Sequence, residues 1–60
     1  MSEIEVLHTI KHVLDSGVLK VIQCRDEVEA RDLEKMFRDL LYGAPLYIRR
    51  KDDVLMIKKM

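Results

Sequence analysis

Sixty residues amount to 7.1 kDa, room for one small domain over residues 1–60 and no second one. With 48% hydrophobic and 37% charged residues, two Gly and one Pro, the composition excludes collagen-like, low-complexity and disordered chains. Lys plus Arg balances Asp plus Glu at 11 each, so no overall field draws the chain to a polyanion or an anionic membrane.

The single cysteine, Cys24, cannot form an internal disulfide and fits a reducing compartment. The start, Met1-Ser2-Glu3-Ile4-Glu5, is acidic where a signal peptide is basic. No apolar run approaches the ~18 residues of a membrane span. A cytoplasmic protein without membrane contact is expected. A chain this short buries only about 60% of its unfolded surface, and such a core supplies roughly 3–5 kcal/mol. With disulfides excluded, a metal or an oligomer gains weight as a support.

The first segment predicts a helix over about residues 3–15. Ser2 and Glu5 form a capping box, and Val6, Leu7, Ile10, Val13 and Leu14 make one apolar stripe. Gly17 supplies the left-handed residue that ends it. Val18-Leu19-Lys20-Val21-Ile22-Gln23-Cys24 reads as a strand, apolar on both faces and hence expected to be partly covered on both. A second capping box, Asp26 with Glu29, opens a helix whose stripe is Ala30, Leu33, Met36, Phe37, Leu40 and Leu41. Glu27 with Arg31 and Glu34 with Arg38 are i, i+4 pairs in the favourable order. Gly43 and Pro45 stop this helix, and Val28 and Tyr42 fall off its stripe.

Residues 46–50 and 54–59 read as a hairpin around Asp52-Asp53. A two-residue turn there opposes Ile48 to Ile57 and Arg49 to Met56. Leu46, Ile48, Leu55 and Ile57 then share the core face, and Tyr47, Arg49, Val54, Met56 and Lys58 the other. The fold class that follows is α/β (α+β), a two-layer sandwich in the order α-β-α-β-β. Two helices pack on one face of a three-stranded mixed or antiparallel sheet. Pro45 and Arg49-Arg50 suit an edge, which places the third strand in the middle, order 1-3-2.

The far sheet face lacks a cover. Val18 or Leu19, with Val54, Met56 and Tyr47, would expose apolar area there, so a homodimer or higher assembly is expected to bury this face or to pair the free edge of the first strand. Val54, Met56 and Tyr47 are the expected interface residues.

Three constellations could carry chemistry. Cys24 lies at a strand-to-helix corner beside Arg25, where a helix N-terminus and a cation favour the thiolate of a sulfur-transfer or redox site. No second cysteine accompanies it, and a small apolar residue closing a strand is the plainer reading. His8 and His12 stand one helical turn apart, a spacing that chelates a divalent metal but recurs often by chance. No metal or other cofactor is expected. Charge is unevenly spread, with six bases against nine acids over residues 1–43 and five against two over 44–60, so the parts carry −3 and +3. Tyr47, Arg49, Arg50, Lys51 and Lys58, with Lys20 beside them, could contact phosphates and stack a base. Signatures of catalysis are missing: there is no Gly-rich phosphate loop, Ser-His-Asp set or strongly spaced metal cluster. Sixty residues also rarely enclose a ~300 Å³ pocket without a second subunit.

The element order is similar to the later part of a strand–helix–strand–helix–strand–strand plan. Alba-like chromatin proteins, a family of bacterial sulfur carriers and the C-terminal domain of a bacterial initiation factor share that plan. The first strand of the plan is absent here, and Arg25 follows Cys24 where the sulfur carriers have Cys-Pro-x-Pro. The basic surface of Alba is thinned to the terminal hairpin. The resemblance is architectural and transfers no site residues. The expected function is a self-associating, non-enzymatic protein-interaction module. Nucleic-acid binding through the terminal hairpin is the alternative, and thiol chemistry at Cys24 ranks third.

Overall fold

The first helix, α1, runs from Glu3 to Ser16 in a computed structural model that describes residues 1–60. Its capping box is complete: Ser2 Oγ accepts from the Glu5 backbone N–H, and the Glu5 carboxylate accepts from the Ser2 N–H and hydroxyl. Those hydrogen bonds from Ser2 hold the Glu5 carboxyl below its ordinary value. Gly17, at φ 71, turns the chain out of the helix while its N–H donates to the Val13 carbonyl. Val6, Ile10 and Val13 are buried, whereas Leu7, expected in the stripe, is 39% exposed.

Strand β1 spans Lys20–Gln23, shorter than the apolar run suggests. Helix α2 follows over Glu27–Leu40. Asp26 accepts from the Glu29 N–H as expected, but the Glu29 carboxylate reaches past Asp26 to the Arg25 N–H, so the second box is half formed and displaced by one residue. Glu27 pairs with Arg31 at 3.2 Å and Glu34 with Arg38 at 3.0 Å. After Leu41, Tyr42 (φ 50) and Gly43 (φ 79) both enter the left-handed region, and that double reversal ends α2.

Strands β2 (Leu46–Lys51) and β3 (Val54–Lys59) form the hairpin in the expected register, with Ile48 opposite Ile57 and Arg49 opposite Met56. Both neighbours of β3 run antiparallel to it, giving the order β1-β3-β2. The sheet is antiparallel throughout. Helix α2 packs on β2 and β3, and α1 packs on α2 and β3, so one sheet face is covered.

Between the layers lies a single cluster in which Phe37, Leu55, Ile57, Val6 and Val13 are the largest fully buried side chains. Accessible area is 4207 Å², close to the ~4,100 Å² expected of a compact monomer of this mass. Any pressure to assemble therefore comes from where the exposed apolar side chains lie, not from an excess of total surface.

Three residues make the frame testable. Arg50 continues the Leu46, Ile48 alternation, so its side chain lies on the helix side. There Nε is 3.4 Å from Glu34 Oε1, an ion pair without hydrogen-bond alignment, and Nη1 donates to the Asp52 carbonyl. With about a quarter of both side chains exposed, Arg50→Ala is expected to cost about 1–2 kcal/mol. Arg25→Ala, at a residue 82% exposed, should change stability by less than about 0.5 kcal/mol in urea denaturation. Asp52 takes φ 53 in the hairpin turn, so Asp52→Gly should raise the unfolding free energy by a few tenths to about 1 kcal/mol, read as a higher urea midpoint.

Candidate functional site

The open face of the sheet follows from register. Directly opposed residues of an antiparallel pair share a face. Val21 stands opposite Met56, which stands opposite Arg49; Gln23 stands opposite Val54, which stands opposite Lys51. Tyr47 faces Lys58, and the Lys58 Nζ lies 5.5 Å from the Tyr47 ring centroid, a cation–π contact. Leu19, one residue before β1, completes this row, and with Tyr47, Arg49, Met56 and Lys58 it lines a shallow groove of about 220 Å³.

This face is apolar in the middle and cationic at one side. Leu19 and Val21 are 52% and 53% exposed, Tyr47 is 45% exposed, and Val54 and Met56 are half-buried. Coverage of β1 on both faces, expected from its sequence, is thus not found: nothing packs over Val21. Arg49, Lys51 and Lys58 stand here without an ion-pair partner, and the strands place no carboxylate on this face.

Two residues assigned to the basic cluster lie elsewhere. Lys20 stands opposite Ile57, so it belongs to the helix-side face and not beside Tyr47. Arg50, opposite Leu55, is engaged by Glu34 and the turn on that same side. Of Val18 and Leu19, the register places Leu19 with the groove. Tyr47, Arg49, Lys51 and Lys58 remain together.

A second concavity was not foreseen from the sequence. An open cleft of about 510 Å³ lies between the start of α1, the end of β1 and the first half of α2. Ile22, Leu33, Met36 and Cys24 contribute its apolar lining, and Glu5, Asp26, Glu29 and Asp32 bring four carboxylates to it. The sequence hides this site because its walls come from three elements, and only the carboxylates of α2 fall near one another along the chain.

Cys24 belongs to this cleft, 5% exposed, its N–H donating to the Asp53 carbonyl at 2.8 Å. Burial raises the thiol's pKa, and the nearby Glu29, Asp53 and Asp26 carboxylates raise it further. The activating surroundings expected from the strand-to-helix corner are therefore reversed: Arg25, 82% exposed, lies 3.7 Å from Asp26 and Glu29, and the acids dominate the setting of the sulfur. His8 and His12 are both exposed on α1, Glu5 is occupied by Ser2, and no group of three or more His, Cys, Asp or Glu converges as a metal site. No helix is long and apolar enough to cross a membrane.

The thiol has a direct test. Native protein at neutral pH should react with iodoacetamide far more slowly than the urea-unfolded chain; rapid native labelling would contradict the acidic, buried setting. Because the folded pKa is raised, the unfolded chain ionises first as pH climbs past the ordinary thiol value. Stability should then fall with rising pH there, and Cys24→Ala should remove that part of the alkaline loss.

Comparison with protein-family models, with curated proteins and with solved structures returns no match, so the likeness to the three families named above is one of element order.

Proposed function

We propose that this chain is a non-catalytic protein-interaction module that works through association with copies of itself. One observation supports this above the others: the whole sheet face opposite the helices, centred on Val54, Met56 and Tyr47 and extended by Leu19 and Val21, has no cover. At about 25 cal/mol per Å², each ~100 Å² of this surface removed from water is worth about 2.5 kcal/mol before the costs of association. A core of this size leaves little stability to spare, so burial of a neighbouring apolar surface is a gain the fold can use.

A nucleic-acid role is the second reading, favoured by one feature: an exposed Tyr47 ring with Lys58 against it and Arg49 in the same groove, a setting for a base and its phosphate. The removal of Lys20 and Arg50 from that surface leaves three cations on it, few for a polyanion site.

Sedimentation equilibrium should show the mean mass rising from 7.1 kDa towards twice that value across micromolar to submillimolar concentration. A mass of one chain throughout would overturn the reading. Fluorescence anisotropy with labelled single-stranded RNA or duplex DNA should show no saturable binding near physiological salt. Saturable, salt-sensitive binding lost in Arg49→Ala would replace the protein reading with the nucleic-acid one.

A further inference from the structure

We infer that two copies join through the outer edge of β1, across a two-fold axis near Val21, to make one continuous six-stranded antiparallel sheet. This rests on the self-association reading but moves its contact to the Leu19 and Val21 margin of the open face, leaving Tyr47, Val54 and Met56 uncovered.

Hydrogen-bond phase identifies the open edge. The Cys24 N–H donates to the Asp53 carbonyl, so by the alternation of an antiparallel ladder Lys20 and Ile22 also turn their backbone groups to β3. The N–H and C=O of Val21 and Gln23 then point outward. No contact within the chain claims them. The opposite edge is partly closed. The Met60 N–H bonds the Pro45 carbonyl, which turns Leu46, Ile48 and Arg50 outward on β2. There the Leu46 N–H is taken by the Ala44 carbonyl and the Ile48 carbonyl by Arg38 Nη2 at 3.2 Å. An edge with free groups and an exposed valine is a template for another strand.

Charge chooses the second copy's approach. Stacking two open faces would bring Arg49, Lys51 and Lys58 of both copies into one interface with no strand carboxylate to offset them. Edge pairing keeps those residues, all on β2 and β3, away from the axis. With Val21 opposite the second copy's Val21, Leu19 meets Gln23 and Lys20 meets Ile22 across the axis. Lys20 has no ion-pair partner within its own chain, and Ile22 lines the cleft where Glu5, Asp26, Glu29 and Asp32 outnumber the one cation, Arg25, which pairs with Asp26 and Glu29. Each copy thus brings a free cation to the other's acidic cleft, twice by symmetry. Sliding the register two residues the other way would set Lys20 against Lys20, so repulsion opposes that alternative.

The contact is small. Pairing the five residues 19–23 of each strand buries well below the ~800 Å² per partner of a standard interface, so a dimer in the micromolar range or weaker is expected.

The test measures amide hydrogen exchange and sedimentation mass on the same full-length samples across a concentration series. Protection at the Val21 and Gln23 amides should rise about tenfold or more as the mass approaches two chains. Val21→Pro, which removes an outward N–H that β3 does not use, should give a folded monomer, and Lys20→Glu should weaken association. Met56→Lys should leave the dimer intact. Two chains with unchanged Val21 and Gln23 exchange, or a dimer lost in Met56→Lys, would overturn edge pairing and leave self-association standing. One chain at every concentration would remove both. Should Val21→Pro fail to fold, the exchange data on the unaltered chain decide alone.

Discussion

A single layer of helices can shield only one side of a sheet, and most of this molecule follows from that constraint. The central strand β3 is where it is resolved. Leu55 and Ile57 are fully buried beneath Phe37, Val6 and Val13, while the residues alternating with them, Val54, Met56 and Lys58, face outward. Every apolar side chain assigned to one side is unavailable to the other, so the period-two rule that builds the core also builds the uncovered face. The surface left open is thus the reverse of the surface that makes the fold, and the two cannot be altered independently on β3.

Electrostatics divides the molecule along the same line. The carboxylates of α1 and α2 gather on the helix side, where Glu34 engages Arg50 and four acids meet at the cleft around Cys24. The open face carries cations alone. A neutral chain is in this way strongly two-sided, and the thiol, placed among acids and out of water, is held in its protonated form. This arrangement speaks against nucleophilic chemistry at Cys24 and for surfaces distinguished by charge.

Local signals in the sequence were readable wherever neighbours along the chain decide the structure. Ser2 and Glu5 define the start of α1, and the two-residue Asp52-Asp53 turn sets the β2–β3 register, so Ile48 and Ile57 could be paired without coordinates. The face that Lys20 occupies is not legible in the sequence because the β1–β3 register depends on residues more than thirty positions apart, which no turn constrains. Arg50 is different: the alternation from Leu46 through Ile48 pointed it to the helix side, and its charge obscured a signal that was present. The electrostatic setting of Cys24 was hidden because Asp53 reaches it from another element, and the half-formed Asp26 box shows a motif satisfied by a neighbour, Arg25, that its pattern does not include.

The central claim is that copies meet along the outer edge of β1, where the Val21 side chains at the margin of the open face come together and lose water. Methyl NMR of Leu19, Val21, Val54 and Met56 with a soluble paramagnetic agent reads this directly. The account predicts that the Val21 methyls are bleached in dilute solution and become shielded as the protein is concentrated, while buried Leu55 stays unaffected throughout. Bleaching of Val21 that is equally strong at the highest attainable concentration would contradict it.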